Sequence, residues 1–228
     1  MREKLTPNYT IGCKRILLSN TYYPALAQSN VSVHTTGIAE VNENSIIDLD
    51  GNETEVDTII FGTGFQVKDL PYARSIFGRE GHSLSEEWGG SPKAYMGTTI
   101  TGFPNLFLIQ GPNTGLGHSS VVFMIEAQVE HIISTLTYMK KNNIDIVEPK
   151  EEAQQKFVDM SDKNMKGTVW TQGCDSWYLD KSGRNSTLWP GYTFSFRRMA
   201  TRLNTDDYYG YQVASPVDGK VSQFSNVQ

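Results

Sequence analysis

The run Phe103-Pro104-Asn105-Leu106-Phe107-Leu108-Ile109 leads into Gly111-Pro112-Asn113-Thr114-Gly115-Leu116-Gly117-His118-Ser119-Ser120, and a long helical pattern follows. A short, nearly continuous apolar run reads as a strand buried on both faces, the kind that belongs to an α/β sheet. From Ser120 to about Lys141, the residues Val121, Ile125, Val129, Ile132, Leu136 and Met139 recur at spacings of three and four. That period predicts an amphipathic helix with those six side chains on its core-facing stripe. Lys140 and Lys141 fall at its C-terminal end, where the macrodipole favours cations. The glycine-rich turn therefore delivers backbone N–H groups and a positive dipole end to one place, suited to an anion or a polarised oxygen. It is not a Walker loop, because His118 replaces the lysine and Pro112 the first glycine. It is not a nucleophile elbow either, since Ser120-Val121 follows where a closing glycine is required. On spacing alone, a ligand loop and an ordinary turn stay equally open.

Upstream, Val56-Asp57-Thr58-Ile59-Ile60-Phe61 is a second β-branched run, predicted as a strand covered on both faces and ending in Gly62-Thr63-Gly64. Glycine there lets backbone approach a ligand, but a dinucleotide fingerprint needs a third glycine where Val67 stands. Val31-Ser32-Val33-His34 and Ser45-Ile46-Ile47-Asp48-Leu49, with the turn Asp50-Gly51, predict a small β-meander. Downstream, Glu148-Pro149 reads as a break, followed by a helix to about Lys166 with Ala153, Phe157 and Met160 on one face. Residues 167 to 211 are rich in Trp, Tyr, Gly and Arg and predict an aromatic-lined pocket around Trp170, Trp177 and Trp189. The tail after Ser215 reads as frayed.

Composition narrows the function. The 228 residues allow one or two domains with a proper core, and 38% hydrophobic with 20% charged residues is a folded composition. The 25 acids outnumber 20 bases, which argues against a nucleic-acid partner. Two cysteines, Cys13 and Cys174, without metal spacing indicate neither a disulfide framework nor a metal site, and fit a reducing, cytoplasmic setting. No apolar stretch reaches the roughly 18 residues of a membrane span, and the first 20 residues lack a signal-peptide core. His118 has no local partner for a triad or a metal and reads as structural, and Lys14-Arg15 reads as a solvated pair.

Taken together, the motifs resemble one family, the flavin-dependent Baeyer-Villiger monooxygenases, relatives of the flavin-containing monooxygenases. The series begins at Leu5-Thr6-Pro7-Asn8-Tyr9 and Gly12-Cys13-Lys14-Arg15 and continues through Tyr22-Tyr23-Pro24-Ala25-Leu26, Glu55-Val56-Asp57 and Gly62-Thr63-Gly64-Phe65. Position 62 is usually alanine in the family. It then runs through Tyr95-Met96-Gly97-Thr98-Thr99, Gly102-Phe103-Pro104-Asn105-Leu106-Phe107, Gly111-Pro112-Asn113, Ile125-Glu126-Ala127-Gln128, Ser176-Trp177-Tyr178 and Leu188-Trp189-Pro190-Gly191. The family's two GxGxxG loops and the His-containing fingerprint between them do not occur in the sequence.

The resemblance implies an α/β fold: the C-terminal portion of a two-dinucleotide, Rossmann-like flavoprotein, with an incomplete sheet, a small β-meander and a long helix. It implies a linker leaving the NADP domain (1–30), the closing part of the FAD domain (31–142), a segment bordering the active site (143–214) and a flexible tail (215–228). FAD and NADP are the implied cofactors, and a small-molecule ketone the implied substrate. Arg15 would be the active-site arginine, stabilising negative charge as NADPH reduces FAD, oxygen adds, and the resulting anion attacks the carbonyl. Lys14, Thr63, Gly64, Gly111, Asn113, Thr114, Leu116, Gly117 and Trp177 would contact the cofactors. No metal is implied. Lacking the dinucleotide loops, the chain is expected to be inactive alone, requiring a complementary N-terminal chain. Two alternatives are a non-catalytic, self-associating remnant and part of an N- or S-oxygenating relative.

Overall fold

The computed structural model describes residues 1–64, 70–171, 173 and 176–213. Phe65, Val67, Cys174 and the tail from Ser215 lie outside the described residues. The chain divides into two units, Met1–Tyr9 with Ile16–Phe65, and Thr10–Arg15 with Gln66–Gln228.

The first unit carries α1 (Arg2–Leu5), α2 (Tyr22–Leu26) and a three-stranded antiparallel meander, β1 (Ile38–Val41), β2 (Ser45–Asp48) and β3 (Glu53–Glu55), in that order. Ile46 of the central strand faces Val41 on one side and Thr54 on the other. The expected Asp50-Gly51 turn closes β2 onto β3. There Asp48 accepts hydrogen bonds from the Asn52 side chain and from the backbone of Asn52 and Asp50, which hold its carboxyl below the usual carboxylate range. Two expectations fail in this unit. Val31-Ser32-Val33-His34 is not a strand, because Ile38–Val41 occupies the edge of the meander. The run from Val56 to Phe61 carries no ladder among the described residues, and Ile60 and Phe61 are 90% and 81% exposed. Its β-branched composition suits a covered sheet position, but a strand exists only where a neighbour pairs with it.

The second unit contains α3 (Leu84–Trp88), α4 (Val121–Asn142), β4 (Ile146–Pro149), α5 (Glu151–Met165), α6 (Thr193–Ala200) and β5 (Tyr208–Tyr211). A capping box between Ser83 and Glu86 starts α3. Ser120 caps α4, its Oγ accepting from the Phe123 N–H, and Asn143 ends it in the left-handed region at φ 52°. Glu148-Pro149, expected as a break, is instead the end of β4, which pairs antiparallel with β5 so that Val147 faces Gly210. Proline is tolerated at such a strand end.

The main core gathers Tyr95, Met124, Ala127, Phe157, Trp189, Phe196 and Tyr208. Phe157 stacks on Trp189 with ring centres 6.1 Å apart, and Phe196 meets that indole edge-on at 5.4 Å. A second cluster holds Ala73, Leu84, Trp88, Ile100 and Phe103. The run from Phe103 to Ile109 lies between the two. It forms no regular strand, yet it alternates like one: Leu106 and Leu108 pack on the second cluster and Phe107 on the first.

The helix α4 appears where expected, but its stripe is corrected. The buried residues are Met124, Ala127, Gln128, His131, Thr135 and Met139, whereas Val129 and Leu136 are 40% and 45% exposed. Only Met139 belongs to both sets. The polar members are tolerated because each is hydrogen-bonded. Gln128 Oε1 accepts from the Gln110 N–H at 3.0 Å, and Nε2 donates to the Gly97 carbonyl at 2.9 Å and to Thr98 Oγ1 at 3.0 Å. His131 bridges the Ala200 carbonyl and the Tyr208 hydroxyl, each at 2.7 Å. Cys13 is fully buried.

Candidate functional site

Within the second unit, the turn from Gln110 to Leu116 and the segment from Ser186 to Leu188 form facing walls of a cavity of about 250 Å³. Parallel pairing joins the walls: the Asn113 N–H donates to Ser186 O at 2.8 Å, the Gly115 N–H to Thr187 O at 2.9 Å, and the Trp189 N–H to Gly115 O at 2.8 Å. Val121, the first residue of α4, also lines the cavity, so the positive end of a 22-residue helix lies beside it. Arg15 completes the lining. Its Nη2 donates to the Leu116 carbonyl at 2.9 Å across 101 residues of sequence.

Four residues named from the sequence therefore meet at one cavity: Arg15, Gly111, Leu116 and Trp177, the last 47% exposed. Lys14 precedes Arg15 and is exposed, outside the lining. Asn113, Thr114 and Gly117 belong to the same turn but are not among the lining residues. Asn113 is 1% exposed and its amide is taken up by protein partners, and the Thr114 hydroxyl donates to Gly111 O at 2.7 Å. A Cβ on Gly117 would press on the Trp170 indole at 3.1 Å, and one on Gly111 would stand 2.2 Å from the Gly97 carbonyl oxygen. Contact with their own chain already requires glycine at both positions. Thr63 and Gly64 belong to the first unit, both exposed, and a Cβ on Gly64 would meet nothing within 4 Å.

Sequence reasoning missed the wall from Ser186 to Leu188, and it missed Arg184, which sits behind it. Arg184 hydrogen-bonds Asp162, Pro92 and Asn113 at once. The sharp turn before it is set by Asp180. Burial pushes that carboxyl up, yet hydrogen bonds from Ser182, Ser91 and the backbone outweigh burial and hold it below the usual range. The available signal was the polar string Asp180 to Asn185 inside an aromatic-rich region, which has no periodicity to mark it.

Chemically, the site offers a guanidinium, a helix N-terminus and an apolar floor of Leu70 and Leu188 beside the indole of Trp177. That set fits the edge of a flat heteroaromatic ring on which negative charge develops, so the residues present fit a flavin. Among the described residues, no group of three or more His, Cys, Asp or Glu is placed to hold a metal ion, and no helix is long and apolar enough to cross a membrane.

No family model matches the chain. A Baeyer-Villiger monooxygenase of Pseudomonas aeruginosa is 49% identical over 211 residues, 92% of this chain and 40% of that protein. Another from Streptomyces coelicolor is 46% identical over 226 residues, covering 97% of this chain and 42% of the relative. An FAD-binding monooxygenase of Aspergillus niger is 32% identical over 211 residues, 90% of this chain and 34% of its own. Among solved structures, the cyclohexanone monooxygenase from Rhodococcus sp. Phi1 bound to NADP+ superposes with a TM-score of 0.80 at 29% identity, over 92% of this chain and 41% of that one. The chain thus spans about 40% of the length of the bacterial relatives it matches. In sequence and in fold, the chain belongs to the flavin-dependent Baeyer-Villiger monooxygenase family and corresponds to the C-terminal part of its members.

Proposed function

We propose that this chain furnishes one wall of the active site of an FAD- and NADPH-dependent monooxygenase that inserts one oxygen atom from O2 into a ketone. The observation that carries the reading is the Arg15 guanidinium, anchored on the Leu116 carbonyl at the cavity edge. When bound, FAD reduced by NADPH supplies the activated oxygen. Arg15 holds a fixed positive charge against the negative charge that develops beside it, and the N-terminus of α4 adds to that field. Trp177 and Leu188 keep water from the reacting carbonyl and the nicotinamide. Thr63 and Gly64 let backbone approach FAD, the turn from Gly111 through Asn113 and Thr114 to Gly117 borders the ring, and Lys14 supports Arg15. Residues 1–30 serve as the linker from the NADP domain, 31–142 as the closing part of the FAD domain and 143–214 as the border of the active site. The dinucleotide loops come from a complementary N-terminal polypeptide, in a cytoplasmic setting.

The test supplies the chain with the N-terminal part of the Pseudomonas aeruginosa relative, FAD, NADPH and cyclohexanone, and measures lactone by gas chromatography. Product is expected only in the combined preparation, falling roughly 100-fold or more in Arg15→Ala. Undiminished lactone in that variant, or stoichiometric flavin on the isolated chain, overturns the proposal. Oxygenation of amines or sulfides in place of ketones assigns the chain to the N- or S-oxygenating relatives instead. A second reading, a self-associating module without catalysis, is favoured by the exposure of Leu17 at 84%, Leu18 at 95% and Ile60 at 90%. A compact monomer in sedimentation removes it.

A further inference from the structure

We infer that Arg184 is a positioning residue for Arg15, acting through Asn113, an inference that rests on the role given to Arg15 above. The Arg184 guanidinium is engaged in three directions. Its Nε donates to both carboxylate oxygens of Asp162 at 2.8 and 2.9 Å, Nη1 to the Pro92 carbonyl at 2.8 Å, and Nη2 to Asn113 Oδ1 at 2.7 Å. The side chain is 13% exposed. The bond to Asp162 fixes Arg184 to α5, and the other two reach forward to the cavity: Pro92 lines it, and Asn113 is buried in the turn whose Pro112, Gly115 and Leu116 line it.

Asn113 holds φ at 58°, in the left-handed region, where a side chain other than glycine must be fixed by its surroundings. Its amide is fixed at both ends. Oδ1 accepts from Arg184, and Nδ2 donates to the carbonyls of Asn185 and Leu188 at 2.9 and 3.1 Å. Three residues on, the Leu116 carbonyl receives Arg15. Without the guanidinium, Oδ1 of a buried Asn113 loses its charged donor, the turn relaxes, and the Leu116 carbonyl no longer stands where Arg15 needs it. Lysine does not replace the fork, because one ammonium cannot reach three acceptors spread around a plane.

The test is amide hydrogen exchange on the full chain, which needs no cofactor. Arg184→Lys is expected to speed exchange of the Gly115 and Trp189 N–H groups at least about tenfold, as loss of one charge-assisted bond implies. It is also expected to shift the Arg15 side-chain resonance, identified by its disappearance in Arg15→Lys. The Asn105 and Lys150 N–H groups, bonded to Val147 and Asp207, should not change. No local acceleration, or equal acceleration at Asn105 and Lys150, overturns the inference, the latter showing a role in general stability alone. If Arg184→Lys does not fold, Asn113→Asp keeps the acceptor for Arg184 and removes both Nδ2 donors, with the same expectations and the same refuting outcomes. In the combined enzyme, Arg184→Lys should lower kcat about tenfold and leave the KM for NADPH unchanged. If Arg15→Ala there keeps full activity, the functional reading fails while the exchange data still decide whether Arg184 positions Arg15.

Discussion

Replacing Gln128 by leucine should cost about 3 kcal/mol of stability, and the structure says where the cost comes from. Gln128 is fully buried in α4 and makes three hydrogen bonds at 2.9 to 3.0 Å to the Gln110 N–H, the Gly97 carbonyl and Thr98 Oγ1. Each such bond contributes about 1 kcal/mol net, so the three together account for the loss. Leucine has nearly the same volume, so no cavity complicates the result. Urea unfolding followed by tryptophan fluorescence is the assay. All four tryptophans, at positions 88, 170, 177 and 189, lie in the second unit, so emission reports on that unit alone. The midpoint should fall with little change in slope. A Gln128→Leu protein within about 0.5 kcal/mol of the parent would refute the view that this side chain fastens the turns at Gly97 and Gln110, since exposed, uninvolved positions show changes of that size.

Two further outcomes follow from the same core. His131 donates from Nδ1 to the Ala200 carbonyl, so Nε2 must accept from the Tyr208 hydroxyl, and burial pushes its pKa below the ordinary 6.5. The unfolded chain therefore binds the proton more readily: stability is fully present above about pH 6.5 and declines as pH falls below it, down to the lowered native value. A pH series of unfolding midpoints checks this, and His131→Gln should flatten that part of the slope. Gly111→Ala should destabilise by about 3 kcal/mol or fail to fold, because its Cβ would stand 2.2 Å from backbone oxygen, whereas Gly62→Ala, with nothing within 4 Å, should leave the far-UV circular dichroism unfolding midpoint unchanged.

Local signals carried part of the fold. The apolar period and the Lys140-Lys141 pair located α4 to within a residue, because both signals act inside the helix itself. Which face it buries was not legible. The apolar period marks Val129 and Leu136, which stay partly exposed, while the core accepts Gln128 and His131 because distant segments supply their hydrogen bonds, and Thr135 because its hydroxyl donates to the His131 carbonyl one turn earlier. Val56 to Phe61 shows the same limit, since propensity describes a residue's preference and not whether a neighbouring strand is present. At the site, Arg15 and Trp177 were found by resemblance to a known motif order. Arg184 was not, because its importance lies in three partners at positions 92, 113 and 162 that only folding brings together.

The alternation from Asn105 to Leu108 has a consequence for how this sequence can change. Asn105 clasps β4, with Oδ1 accepting from the Val147 N–H at 2.9 Å, while Leu106 and Leu108 face one cluster and Phe107 the other. Inserting or deleting a single residue here would exchange the contents of two cores and move Gln110 away from Gln128. Length variation should therefore be barred from this stretch and tolerated at the Asp50-Gly51 turn, where only an exposed loop tip would grow.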